Sequence, residues 1–272
     1  MFRVRFWGVR GSLPVSGSEY QFYGGNTICI EMQCGDHRLI FDAGSGIRPA
    51  GRALRAEGVV DTHLFFTHCH YDHIIGLPYF SLLFDPECAV TMWSGHMAGL
   101  MTTRDMMSQF MRPPWFPVEP AICCANLRFR DFQARDVLRP YPDIAISTGM
   151  LTHPGGAIGY RVEWEGKAVA MITDTEHVPG TLDPVVLDLI RDADLFLYDC
   201  TYTDAEMARH AGFGHSSWQQ AVRLAEAAGA RRVALIHHLP SRDDSDLDVI
   251  AQELHAVFPA GFAARDGQVI EV

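Results

Sequence analysis

"FFTHCHYDHIIGLP", residues 65–78, places His68, His70, Asp72 and His73 within six positions, directly after an apolar run. Imidazoles crowded like this repel one another when protonated, and a shared cation removes that penalty. If the chain stays extended, residues 68, 70 and 72 point to one side by two-residue alternation, and a turn must bring His73 in. One metal cannot easily take four such close neighbours. Two can, with His68 and His70 on one and Asp72 and His73 on the other. Mixed imidazole and carboxylate donors suit zinc, with iron or manganese as alternatives.

Working outward, apolar runs lead into further polar groups. "HLFFT" runs into His68, "KAVAMIT" into Asp174, "DLFLY" into Asp199 and "RVALI" into His237. Loops at strand ends are where a rigid scaffold holds reactive groups. His153 in "LTHPGG" is a third imidazole for the first metal, Asp174 a bridge, and His237 the completion of the second. His238 competes with His237, and alternation sends the two neighbours to opposite sides. His237 is preferred because it directly follows the strand.

Hairpins are expected where "TICIEM" and "RLIFD" flank residues 34–37, and where "GYRVEW" and "KAVAMIT" flank Glu165-Gly166. Helices are expected over 216–228, capped by Ser216 or Ser217 and ended by Gly229, and over 246–257. Two packed sheets with helices outside use these elements well. Residues 86–145 resist assignment. "MWSGHMAGLMTTRDMMSQFMRPPWFPVEP" carries one helix before Pro113-Pro114, which reads as a core or homodimer-contact helix or as a pocket wall. In the second case Trp115 and Phe116 stack on a substrate ring.

The chain has 272 residues, 48% of them hydrophobic, enough for a single domain over 1–272. A formal charge of −11 argues against a surface built to grip phosphate backbones, so nucleic acid is not the expected substrate. No stretch reaches the roughly 20 apolar residues of a membrane span. Seven cysteines, an odd number without a CxxC pair, and a start lacking signal-peptide character read as a reduced cytoplasmic protein.

"THCHYDHIIGLP", with "IFDAG" before it and His153, Asp174 and His237 after it, resembles the metallo-β-lactamase superfamily. The resemblance implies an α/β fold, a four-layer αββα sandwich with a dinuclear site at one edge. It also implies that Asp42 orients the metal ligands. "WGVRGSLP", residues 7–14, resembles the opening glycine loop of the phosphodiesterase branch. "LYDCTYTDAEMARHAGFGHSSWQQA" resembles the tRNase Z and cyclic phosphodiesterase branch, where an acidic residue near a Thr pairs with a downstream His. Here these are Asp199, Thr201 and His215, with Asp in place of the Glu of tRNase Z. His215, Asp199 and Asp72 then make up the catalytic set. tRNase Z inserts a long tRNA-gripping arm between its third ligand His and the bridging Asp, whereas only 21 positions separate His153 from Asp174. The expected activity is hydrolysis of a small phosphodiester, such as a cyclic nucleotide or cyclic sugar phosphate, with two divalent metal ions. A lactone or thioester hydrolase on the same site, a tRNase Z-like ribonuclease and an iron redox protein are the competing readings.

Overall fold

Alternation decides the first strand. In β1 (Phe2–Gly8), Phe2, Val4 and Phe6 are buried while Arg3, Arg5 and Trp7 are half-buried, the mark of a sheet with one face on the core. The computed structural model describes all residues 1–272. The chain continues through β2 (Cys29–Cys34), β3 (His37–Phe41), α1 (Ile47–Ala56), β4 (Asp61–Phe65), α2 (Tyr71–Ile74), β5 (Ala89–Ser94), α3 (Thr103–Phe110) and β6 (Asn126–Asp131). The second half holds β7 (Val137–Leu138), β8 (Ala145–Leu151), β9 (Ala157–Trp164), β10 (Lys167–Ile172), α4 (Pro184–Ile190), β11 (Leu195–Asp199), α5 (Asp204–Met207), α6 (Trp218–Ala228), β12 (Val233–Ile236), α7 (Asp244–Val257), β13 (Gly261–Ala263) and β14 (Val269–Glu271).

Two seven-stranded sheets result, in the orders β14-β1-β2-β3-β4-β5-β6 and β13-β12-β11-β10-β9-β8-β7. Three apolar clusters define the layers. Between the sheets, Phe6, Met32, Phe41 and Phe65 meet Tyr160, Val162, Met171 and Leu197. Outside the first sheet, Ile40, Leu64 and Met92 pack on Ile47 and Leu54 of α1 and on Met106 and Met107 of α3. Outside the second, Ile172, Phe196 and Leu235 pack on Leu189, Leu224 and Leu254 of α4, α6 and α7. This is the expected αββα sandwich. No helix is long and apolar enough to cross a membrane.

Both expected hairpins are present, turning at Gly35-Asp36 and Glu165-Gly166. Ser217 caps α6 by accepting from the Gln220 amide, and Gly229 ends it in the left-handed conformation. Ser216 instead bonds His177 and Tyr198. α7 begins at Asp244, two residues before the expected start. Asp243 caps it, and the first turn is too polar to show in the apolar stripe that begins at Leu247.

The topology positions the site. β3 and β4 run parallel, as do β10, β11 and β12. Asp42 follows β3, the loop with His68 follows β4, Asp174 follows β10, Asp199 ends β11 and His237 follows β12. One edge of the sandwich therefore collects the carboxyl ends of parallel strands from both sheets, a usual place for a ligand in α/β folds.

Candidate metal centre

The loop after β4 is extended only to His70, which is the N-cap of α2. Alternation therefore does not carry through to residue 72, contrary to expectation. One turn of helix presents Asp72 and His73 instead. The outcome is two groups rather than one row. Ligand atoms of His68, His70 and His153 lie within 4.8 Å of one another, and so do those of Asp72, His73 and His237. Asp174 stands between them. Its Oδ1 is 3.8 Å from His68 Nε2, 3.7 Å from His153 Nε2 and 3.3 Å from His237 Nε2, and its Oδ2 is 3.2 Å from His73 Nε2. His238 is turned away, with Nε2 2.8 Å from the Ala264 carbonyl and Nδ1 against Cys200.

The donor atoms fit metal ions. Two imidazole nitrogens bound to one tetrahedral zinc stand about 3.3 Å apart, and His153 Nε2 and His70 Nδ1 are 3.0 Å apart. His68 Nε2 and His73 Nε2 are buried without a hydrogen-bond partner. A buried polar atom left so costs stability unless an ion or water meets it. His68 Nε2 stops 3.8 Å from Asp174, and His73 Nε2 lies 3.2 Å from both Asp72 and Asp174 without a hydrogen bond to either, as atoms around a common point would.

The far nitrogens of four of the five histidines are also held, as is usual for metal-binding imidazoles. His73 Nδ1 lies 2.8 Å from Asp42 Oδ2. Thr67 donates its hydroxyl to Asp42 and so accepts from His68 Nδ1 at 3.1 Å, leaving the His68 Nε2 lone pair free. Thr201 does the same between Asp199 and His237 Nδ1. His153 Nδ1 donates to the Gly214 carbonyl at 2.8 Å. Asp42, Asp174 and His237 all have positive φ, a conformation that costs energy outside glycine and clusters at functional sites.

His215 Nδ1 bonds Asp199 Oδ2 at 2.9 Å, and the ring stacks on His237 at 4.8 Å between centroids. Asp199 is fully buried, and its other oxygen accepts from Thr201. His215 shares an open cavity with Ser12, Cys69, His70, Tyr71, Asp72 and Asp174. The expected pair is thus formed at the mouth of the cluster. Trp115 and Phe116 lie elsewhere, in an apolar cavity next door.

Three contacts escaped the sequence reading. The Ser12 amide donates to Asp72 Oδ2 at 2.7 Å. Gly11 packs so closely on His237 that a Cβ there would sit 2.1 Å from the ring. Glu176 accepts from the Gly212 and Gly214 amides at 2.8 Å, clamping the loop that carries His215. At Gly214 a Cβ would lie 2.2 Å from His153, so glycine is required there too. The glycine spacing of "WGVRGSLP" was the visible signal for the first two. Glu176 offered none.

The charges follow from the geometry. Burial alone would depress His237, yet Asp174, Asp199 and Asp72 outweigh it and hold its pKa up at about 9. His73 is likewise raised, against its burial, by Asp72, Asp174 and Asp42. Burial, helped by His73, pushes His68 well down. In the metal-free protein, protons on His73 and His237 stand in for a cation, and metal uptake must release them. A histidine whose folded pKa is raised stabilises fully below its unfolded value, about 6.5, and this contribution is lost as pH rises through the folded value. Metal-free protein should therefore melt at lower temperature at about pH 9.5 than at about pH 7. Calorimetry across that range checks this, and a melting temperature that climbs with pH would contradict it.

The sequence model of the Beta-lactamase superfamily domain matches residues 37–238. A protein named Ribonuclease Z from Gemmatimonas aurantiaca is 27% identical over 328 aligned positions, covering 99% of this chain and 95% of that protein. Among solved structures, human tRNase Z, short form, superposes with a TM-score of 0.68 at 20% identity, covering 99% of both chains. A diphosphatase from the PhnP family gives 0.73 at 17% identity, covering 100% of this chain and 98% of that one.

Proposed function

The chain belongs to the beta-lactamase superfamily, a family of hydrolases, and from that premise we propose that it hydrolyses small phosphodiesters with two divalent metal ions. His68, His70 and His153 would hold one ion and Asp72, His73 and His237 the other, with Asp174 placed to serve both. Zinc is the first choice for this donor set, with manganese or iron next. Two such ions would lower the pKa of a water and offset negative charge on phosphate oxygens.

The observation that carries the phosphodiester reading is the 2.9 Å bond between His215 and Asp199 beside the cluster. A departing alkoxide needs a proton, and an imidazole oriented by a carboxylate supplies one. Asp199 fixes which ring nitrogen points outward, and that nitrogen protonates the leaving oxygen. The Ser12 amide and Thr201 keep Asp72 and Asp199 in place for this. A thioester expels a thiolate, which leaves without a proton and ranks that reading below, while a lactone expels an alkoxide and is separated by the substrate comparison.

Relatives named Ribonuclease Z weigh against the expectation that nucleic acid is not a substrate, so cleavage of precursor tRNA is the second reading. Two observations keep it second. The alignment to the Gemmatimonas protein spans 328 positions while this chain has 272 residues, so at least 56 of that protein's positions have no counterpart here. Between His153 and Asp174, β9 and β10 fill the segment and no arm projects.

Metal-loaded protein should be tested on cyclic nucleotides, cyclic ribose phosphates, bis-nitrophenyl phosphate, a lactone, a thioester and a precursor tRNA. The expected result is turnover of small phosphodiesters above every other class. Efficient tRNA 3′-end cleavage at moderate salt, or preference for the lactone or thioester, would overturn it.

A further inference from the structure

α2 has two faces. Asp72 and His73 turn into the metal cluster, while Tyr71, Ile74 and Ile75 turn the other way, onto a cavity of about 560 Å³. The far walls are Met97 and Met101 after β5, Met106, Gln109 and Phe110 of α3, and Trp115 and Phe116 beyond it. Eleven of the thirteen lining residues are hydrophobic, and none carries a charge. The rim leaves large apolar side chains in solvent, with Trp115 81% and Tyr71 76% exposed. Such exposure on a concave surface marks a binding site. Cys69 and Tyr71 line both this cavity and the cluster's own, so the two lie side by side with a common wall.

We propose that this cavity seats the non-reacting ester group of the substrate, and that this group is an uncharged aromatic or hydrocarbon moiety rather than a nucleobase. A phosphate placed among the histidines needs only to reach across Tyr71 to bring its substituent there. The chemistry of the walls names the occupant. Aromatic rings and methionine sulfurs favour an aromatic or branched apolar group and adapt to its shape. A nucleobase has several edge donors and acceptors, which must be paired when buried. The polar side-chain groups of the walls are the Gln109 amide and the Tyr71 and Tyr79 hydroxyls, both tyrosines stand at the exposed rim, and no charged group is present. The wall shared with the metal cluster's cavity sets the occupant as part of the substrate, not as a second protein, because a flat partner would leave the concavity unfilled. The proposal rests on the phosphodiesterase reading for the ester it names, but the cavity can be tested without it.

Three nitrophenyl phosphodiesters keep the leaving group constant and vary the second ester group among methyl, thymidinyl and naphthylethyl. Metal-loaded full-length protein should cleave the naphthylethyl ester with at least about tenfold higher kcat/KM than the methyl ester, mostly through KM, with the thymidinyl ester between them. Met101→Glu and Trp115→Ala should each collapse that ratio severalfold. Trp115 is exposed and Met101 is half-buried against the outer core of the first sheet, so the melting temperature of Met101→Glu is measured beside its kinetics and Trp115→Ala serves as the variant that leaves the core untouched. In parallel, neutral phenylnaphthylamine should fluoresce on binding wild type and lose that signal in Met101→Glu. Equal rates for methyl and naphthylethyl esters, or preference for thymidinyl, would overturn the proposal. If no ester is cleaved, the phosphodiesterase reading falls, and the amine still decides the cavity. No amine binding, in a protein whose dimer dissociates on Trp115→Ala, would assign the patch to a second copy of the chain and overturn the proposal.

Discussion

Asp174→Asn should lose both metal equivalents under dialysis that leaves wild type loaded, with activity down by roughly 10³-fold or more. Asp174 is the one carboxylate within 4 Å of imidazoles from both groups, so its charge would serve two ions at once. Even partners outside the ligand set typically cost about 10–100-fold in metal affinity when removed, and a shared ligand weakens both sites together. Asparagine is the right substitution for two reasons. Asp174 has φ of 55°, a left-handed conformation that asparagine tolerates and alanine does not. Its shape also preserves the packing of a fully buried position. Elemental analysis and the melting temperature of metal-free protein separate loss of ligand from loss of fold. Retention of two equivalents with activity within tenfold of wild type would remove Asp174 from the bridge.

His215→Ala should divide substrates by leaving group. An alkoxide such as a ribose oxygen leaves badly without a proton, while a nitrophenolate leaves well. General acid catalysis typically contributes about 10²–10⁴-fold. The variant should lose a factor of that order on an alkyl phosphodiester and far less on a nitrophenyl one. Asp199→Asn should show the same pattern more weakly, because it disturbs the orientation of the ring and not its presence. Metal content should not change. Ligand atoms of His215 also fall within 4.8 Å of those of Asp174, Asp199 and His237, so this control matters. Loss of a metal from His215→Ala would make the residue a ligand, and equal losses on both substrates would remove the acid role.

The ligand set was legible because it is local or punctuated. Four groups crowd one loop, and His153, Asp174 and His237 come directly after apolar strands, where a reader of strand ends looks. The choice of His237 over His238 rested on its place directly after the strand, and His238 is turned away onto the Ala264 carbonyl. The pairing of Asp199 with His215 came from resemblance, since no spacing rule brings residues 16 apart into contact. What stayed hidden depends on distance in sequence. Ser12 reaches Asp72 across 60 residues. Glu176 looks like any surface acid until the loop it clamps is seen. The Met-rich segment gave one helix and left core, dimer contact and pocket wall as open readings, because methionine and aromatic residues read alike whether they fill a core or line a hollow. The single turn at α2 was missed for another reason. A four-residue helix is too short to leave a periodic trace, and it alone decides that Asp72 faces the second group.

The most direct test of the account is a metal titration read by phosphodiesterase activity. Chelator-stripped protein is titrated with zinc or manganese, and the rate on bis-nitrophenyl phosphate is followed against bound metal. The account predicts that the rate rises with added metal and saturates at two equivalents per chain. Saturation at one equivalent, or a fully loaded protein that leaves the phosphodiester untouched while opening a lactone, would contradict it.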